Sequence, residues 1–234
     1  MNNLIKIINL NKKFKLTNNE NLLIFENLNL NINKNSITSI IGPSGCGKST
    51  LLNILGLLDS SYSGDYIFNN QNINKMGNSN LSRVRNHNMG FIHQFFYLIP
   101  ELSVLENIKL PALINNSNDF LITKNAIKLL EVLEISEKKN MKPNLLSGGE
   151  QQRVAIARSL INTPELILAD EMTGNLDENT ANKIFNFFLK YVEQNKKTLV
   201  YVTHNKKFAL FADEIYNFEN KKLYLLDEQS FHSS

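Results

Sequence analysis

Residues 42–49 read Gly-Pro-Ser-Gly-Cys-Gly-Lys-Ser, and they lie between two segments of different periodicity. Before them, Ile37 to Ile41 is a short buried-strand pattern that Gly42-Pro43 stops. After Lys48, residues Leu51, Leu52, Leu55 and Leu58 fall at helical spacing, so a helix begins directly behind the glycines. A buried strand that runs through a glycine loop into a helix constrains the chain to an α/β architecture with helices packed on a parallel sheet.

The rest of the chain fits that frame. From Leu28 to Asn33, apolar Leu28, Leu30 and Ile32 alternate with Asn29, Asn31 and Asn33, which predicts a strand with one wet face. Asparagine is a poor strand former, so the alternation has to outweigh propensity there. Leu166–Ala169 and Thr198–Thr203 are apolar without alternation and read as strands covered on both faces. Ala126, Leu129, Leu130 and Leu133 mark an amphipathic helix. The expected fold is a parallel core sheet with an antiparallel β edge, and a helical insert over about 94–160. The final residues, Phe231-His232-Ser233-Ser234, read as loosely held.

Composition excludes several classes. Apolar residues make up 42% and charged residues 20%, ordinary for a globular protein, and a net charge of +3 is too mild for a nucleic-acid footprint. One cysteine, Cys46, rules out an internal disulfide and fits a reducing compartment. The start, Met1-Asn2-Asn3-Leu4, shows no signal-peptide pattern. No apolar run approaches the ~20 residues that span a bilayer, so a membrane role would need a separate partner chain. The heavy use of asparagine, as in Asn69-Asn70 and Asn115-Asn116, reads as codon bias.

The glycine loop matches G-x-x-x-x-G-K-[ST] in the strand–loop–helix context that gives this pattern its meaning. Glycines let backbone N–H groups turn inward around phosphate oxygens, and the helix start adds positive dipole. Lys48 is expected on the β- and γ-phosphates of a nucleotide and Ser49 on Mg²⁺. Gly42, Pro43, Ser44, Gly45, Cys46, Gly47, Lys48, Ser49 and Thr50 are thus the candidate ATP contacts. A second site lies at Leu166-Ile167-Leu168-Ala169-Asp170-Glu171, an apolar strand ending in two carboxylates. Asp170 is expected to hold Mg²⁺, and Glu171 to orient or deprotonate an attacking water.

Leu146-Ser147-Gly148-Gly149-Glu150-Gln151-Gln152-Arg153 is a third feature. Ser147 with Glu150 three residues on is a capping-box pattern, and Val154, Ala157 and Ile161 continue one helix face. Ser147, Gly148 and Gly149 therefore open a helix, where anions are favoured. One nucleotide does not need two such helix starts. Two copies meeting head to tail, each nucleotide held between them, would use both.

The phosphate loop, L-S-G-G-E-Q-Q-R and L-I-L-A-D-E together make the chain resemble the ABC ATPase family over essentially its whole length. The resemblance implies one P-loop nucleotide-binding domain over 1–234. Its core with a β subdomain would take about 1–93 and 161–234, and its helical subdomain about 94–160. It also implies a homodimer bound to integral membrane transporter subunits on the cytoplasmic side of the inner membrane. It gives roles to Gln94 (contact with Mg²⁺ and nucleotide), to Asp177 in Gly174-Asn175-Leu176-Asp177 (action across the dimer), and to His204 (γ-phosphate). The aromatic ring stacked on adenine falls on Phe14, with Phe25 as the alternative. Met172 departs from the pattern, which has proline after the glutamate.

Gly56-Leu57-Leu58-Asp59 with Ser63-Gly64, Met89-Gly90-Phe91-Ile92-His93-Gln94, Leu98-Ile99-Pro100, Leu105-Glu106-Asn107-Ile108 and Leu110-Pro111 are similar to the lipoprotein-releasing and macrolide-export branch. A cell-division regulatory ATPase stays open as an alternative. Phe95, Phe96, Tyr97 and Leu98 are expected to include exposed rings that meet the membrane partner.

Overall fold

The computed structural model describes residues 3–17, 19–114 and 118–226. Among the described residues ten strands run in chain order. They are β1 (Asn3–Lys15), β2 (Asn21–Asn33), β3 (Ile37–Ile41), β4 (Ser63–Phe68), β5 (Gln71–Asn72), β6 (Met89–Ile92), β7 (Leu166–Asp170), β8 (Thr198–Val202), β9 (Glu214–Glu219) and β10 (Lys222–Leu225). The α-helices are α1 (Lys48–Leu55), α2 (Asn78–Asn88), α3 (Val104–Leu113), α4 (Asp119–Val132), α5 (Gly148–Leu160), α6 (Glu178–Gln194) and α7 (Lys206–Ala209). The chain divides into two compact units, residues 1–82 with 198–234, and residues 83–197. The expectations for Asn115-Asn116 and for the terminal Phe231-His232-Ser233-Ser234 lie outside the described residues.

In the first unit, β3 pairs in parallel with β8 on one side and β9 on the other, and β10 closes the edge antiparallel to β9. Every residue of β3 and β8 is buried, as the unalternating apolar runs require. The antiparallel strands are more than an edge: β2-β1-β4-β5 form a sheet of their own. Its buried face is built from cross-strand apolar pairs, Ile5 with Ile32, Ile7 with Leu30 and Leu10 with Leu28. Along β2, Asn29 and Asn31 point outward as the alternation predicts.

The asparagines do more than fill codons. The register of β1 and β2 slips on either side of Leu10, and Asn9 and Asn27 take left-handed backbones there, each with φ of 50°. Each irregular residue is served by a partner side chain. The Asn9 N–H donates to Asn29 Oδ1 (3.0 Å), and Asn29 Nδ2 returns a bond to the Asn27 carbonyl (3.0 Å). The Asn27 N–H donates to Asn11 Oδ1 (2.9 Å), and Asn11 Nδ2 donates to the Asn9 carbonyl (2.8 Å). Backbone groups that the slipped ladder would leave unpaired are thus satisfied by amides.

Helix α1 is shorter than the leucine spacing suggests. Gly56 caps it, Leu57 turns left-handed at φ 58°, and Leu58 lies past the end, exposed, whereas Leu51, Leu52 and Leu55 are buried.

The second unit holds β6 and β7 as a parallel pair, with α5 against β6 and against α3, α4 and α6. All of β7 up to Ala169 is buried. Gly90 in β6 is required by close approach: a Cβ there would lie 2.4 Å from the Ser159 carbonyl oxygen of α5. Val154 and Ala157 on α5 and the capping Ile161 are buried, as are Ala126 and Leu130 on α4 and its capping Leu133.

Candidate functional site

In the first unit the glycine loop joins β3 to α1. Gly45 and Gly47 have φ of 76° and 114°, the left-handed region that a side chain disfavours. A Cβ on Gly47 would also sit 2.6 Å from Ile24 Cγ2. Gly47 is the N-cap of α1, and that helix start has no side-chain cap and no acidic residue in its first turn. Its leading N–H groups therefore have neither of the local partners that helix starts ordinarily use. The Lys48 ammonium donates to the carbonyls of Gly42 (2.9 Å) and Pro43 (2.8 Å), folding the side chain back over the loop. Pro43, Ser44, Gly45 and Ser49 are exposed; Gly42, Cys46, Gly47 and Thr50 are half-buried. His204 follows β8 and is exposed, at the end of a strand that flanks β3.

The structure separates the two aromatic candidates. Phe25 is fully buried and meets Phe218 edge-on at 6.0 Å, so its ring belongs to the core. Phe14 is 41% exposed on β1.

In the second unit, β7 delivers Asp170 and Glu171, both half-buried, at its carboxyl end. Glu171 is left-handed, with φ of 43°, and its carbonyl accepts the Gly174 N–H at 2.9 Å. A non-glycine residue in this region stores strain, and such positions gather at functional sites. A Cβ on Gly174 would find Gln94 Nε2 at 3.5 Å and Glu171 Oε2 at 3.6 Å, so the glutamine and the carboxylate flank the same glycine. Asn175 Nδ2 also donates to the Gln94 carbonyl (2.7 Å), which fixes that loop. Met172, where a proline would have stiffened the turn, is buried.

Ser147 caps α5 with the full capping box. Its Oγ accepts from the Glu150 N–H (3.3 Å), and Glu150 Oε2 accepts from the Ser147 N–H (2.7 Å). That bond from the Ser147 N–H is the main reason the Glu150 carboxyl sits below the ordinary range. Asp177 caps α6, its Oδ1 accepting from the Thr180 N–H at 3.0 Å, and bonding to Thr180 holds its carboxyl low as well.

The two glycines after Ser147 differ. A Cβ on Gly149 would lie 2.8 Å from Thr180 Cγ2, so packing of α5 on α6 already demands that glycine. A Cβ on Gly148 would meet nothing closer than Leu176 Cδ2 at 3.6 Å, an ordinary contact. Packing among the described residues gives Gly148 no reason to be glycine.

Sequence reasoning passed over two residues here. Arg158 on α5 donates to the carbonyls of Tyr97 (2.6 Å) and Phe96 (2.7 Å). Burial pushes its guanidinium pKa down. Tyr97 is left-handed at φ 46°, so the cation pins a strained turn. That turn displays Phe95 and Tyr97, 60% and 64% exposed, while Phe96 and Leu98 are half-buried. His93 stacks on Phe91 (5.7 Å, 10°) and meets Tyr97 edge-on (5.2 Å). Burial lowers its pKa, with the Asp170 charge opposing and Arg158 assisting. The only sequence signal for His93 was its place beside Gln94; for Arg158 there was none, because an arginine on a helix reads as solvated. Farther along, the buried Asn107 amide holds the turn before α3 through the Ile99 N–H (2.8 Å) and the carbonyls of Ile99, Leu102 and Ser103.

Among the described residues, no helix is long and apolar enough to cross a membrane.

Comparison with known proteins agrees with this geometry. Residues 25–174 match the family described as ABC transporter. The lipoprotein-releasing system ATP-binding protein of Wigglesworthia glossinidia brevipalpis is 47% identical over 227 residues, covering 96% of this chain and 98% of that protein. Its counterpart in Treponema denticola is 45% identical, covering 91% and 94%. Among solved structures, a bacterial ABC transporter cassette in a dimeric structure superposes with a TM-score of 0.86 at 40% identity, covering 94% of this chain and 96% of that one. The same cassette in a dimeric post-hydrolysis state bound to ADP and Pi has a TM-score of 0.86 at 39% identity, with the same coverage.

Proposed function

The chain belongs to the ABC transporter family, and from that premise we propose that it is the ATP-hydrolysing subunit that powers lipoprotein release from the bacterial inner membrane. The cargo assignment is supported by relatives named for that system at 38–47% identity over most of this chain. In this reading residues 1–234 form one nucleotide-binding domain, with a core and β subdomain over about 1–93 and 161–234 and a helical subdomain over about 94–160. It sits at the cytoplasmic face of the membrane and acts through a separate membrane-spanning subunit.

The observation that carries the nucleotide site is the uncapped start of α1 behind left-handed Gly45 and Gly47. A helix start with no side-chain cap and no nearby acid accepts a polyphosphate without losing a local bond. Gly42, Pro43, Ser44, Gly45, Cys46, Gly47, Lys48, Ser49 and Thr50 hold the phosphates, with Lys48 swinging from the loop carbonyls to the β- and γ-oxygens. Phe14 stacks on the adenine. The donors suited to Mg²⁺ are all hard oxygens: the Ser49 hydroxyl, the Gln94 amide and the Asp170 carboxylate. Mg²⁺ held by these oxygens would neutralise charge on the β- and γ-phosphates.

Glu171 orients or deprotonates the attacking water, from a strained backbone position beside the same glycine that Gln94 flanks. His204 contacts the γ-phosphate. Ser147, Gly148 and Gly149 of one copy complete the site of the other, and Asp177 acts across the same two-fold interface. Gly148 is glycine because a nucleotide from a second copy approaches it, which gives the residue the reason that packing does not supply.

The exposed Phe95 and Tyr97 rings, on the turn whose Phe96 and Tyr97 carbonyls Arg158 holds, are the contact with the membrane subunit.

The test is Glu171→Gln. The variant should bind ATP, lose turnover, and accumulate as a dimer in sedimentation with ATP and Mg²⁺. A variant that stays monomeric with saturating ATP removes the shared-site reading.

A further inference from the structure

Lys12 lies on β1 two residues before Phe14, and the pairing with β2 slips between Lys12 and Lys13. It is almost wholly buried, at 2% exposure. A buried lysine is expensive unless its charge is paired and its donors are used. Here both conditions hold. The ammonium lies 2.7 Å from Asp59 Oδ2 and 2.9 Å from Asp59 Oδ1, and it donates to the Ser61 carbonyl at 2.7 Å. Asp59 is itself anchored, accepting the Ser61 N–H at 2.8 Å, and its own N–H bonds the Asn53 carbonyl of α1. The cation so fixed sits 4.5 Å from the centroid of the Phe14 ring.

We propose that Lys12 is a positioning residue for the nucleobase: its ammonium, locked by Asp59, holds and polarises the Phe14 ring so that the ring stacks on an electron-rich purine. The proposal rests on the reading of Phe14 as the adenine platform. A cation on a ring draws π-density toward itself. The remaining surface of the ring becomes a better partner for a donor such as adenine. The link through Asp59 ties the platform to α1, the helix that starts at the phosphate loop. The spacing between the base and phosphate subsites is then set by one bonded chain, Phe14–Lys12–Asp59–Asn53. A lysine merely filling the core would stabilise the fold and leave the choice of ligand untouched.

The two roles separate when base-dependent binding is compared with base-independent binding. The affinity of the full chain for ATP and for inorganic tripolyphosphate, each with Mg²⁺, is measured in the wild type, Phe14→Ala, Lys12→Met, the double variant and Lys12→Arg. Phe14→Ala and Lys12→Met should each weaken ATP by about threefold to tenfold while leaving tripolyphosphate unchanged. The double variant should be no weaker than Phe14→Ala alone, and Lys12→Arg should restore ATP binding. If Lys12→Met does not fold, Lys12→Gln keeps hydrogen bonds to Asp59 and Ser61 without the charge and should give the same loss. Equal loss for both ligands, losses that add in the double variant, or no loss in Lys12→Met while Phe14→Ala loses ATP would each overturn the role of Lys12. An unchanged ATP affinity in Phe14→Ala would overturn it too, and would locate the failure in the platform itself.

Discussion

Helices α1 and α5 both carry glycine at their starts, yet the two ends are built in opposite ways. At α1 the cap is a left-handed glycine, no side chain bonds the first turn, and no acid lies near it. At α5 a serine caps the helix, a glutamate in the first turn returns the bond, and the box is closed. Helix α3, which lies outside the proposed site, opens with the same closed box from Ser103 and Glu106. The comparison shows that a glycine-rich helix start is not one device. The α1 end is incomplete and gains most from an anion. The α5 end is already satisfied, and a carboxylate in its first turn works against strong anion binding. It can finish a site that another copy has mostly formed, but it is poorly suited to capture a nucleotide alone. Nucleotide should therefore bind first at α1, and the contact with α5 should follow as dimerisation.

The largest effect that would break this contrast is Lys48→Ala. Removing the only charged donor in the loop should weaken ATP binding to the monomer by about 2–3 kcal/mol, roughly thirtyfold to 150-fold, read by calorimetry. No change at α5 should match it, so a comparable loss of monomer binding in Ser147→Ala would erase the distinction.

The two glycines of α5 come next. Gly149→Ala forces a methyl against Thr180 Cγ2 and should destabilise the fold by about 1–3 kcal/mol in denaturant titration. Gly148→Ala should leave stability within ~0.5 kcal/mol but weaken the ATP-dependent dimer at least about tenfold in sedimentation. If both variants dimerise normally, Gly148 has no partner.

The smallest effect sharpens the capping comparison. Ser147→Ala and Ser103→Ala should each cost about 1 kcal/mol of stability, since each removes an N-cap from a closed box. Only Ser147→Ala should also reduce ATP-driven dimerisation.

Most of the frame was legible in the residues because the signals were local. The strand before Gly42, the capping box at Ser147 and the buried run ending at Asp170 each follow from spacing within a few residues. What was hidden depended on distant partners. The packing of Thr180 over Gly149, the grip of Arg158 on two loop carbonyls and the burial of Phe25 behind Phe218 all join residues far apart in the chain. The end of α1 is not legible in the leucine spacing, for a local reason. Leu58 kept the helical spacing, but Gly56 and the left-handed Leu57 had already turned the backbone away.

The crossed asparagine amides of the β1–β2 hairpin carry a consequence for how this protein ages. Asn11 and Asn29 each donate from Nδ2 to a carbonyl at 2.8 and 3.0 Å. Spontaneous hydrolysis of either amide would replace that donor with a carboxylate oxygen and set charge against a carbonyl lone pair. Two register slips depend on this exchange, and damage at one amide would leave the Asn9 or the Asn27 carbonyl at its slip without that donor.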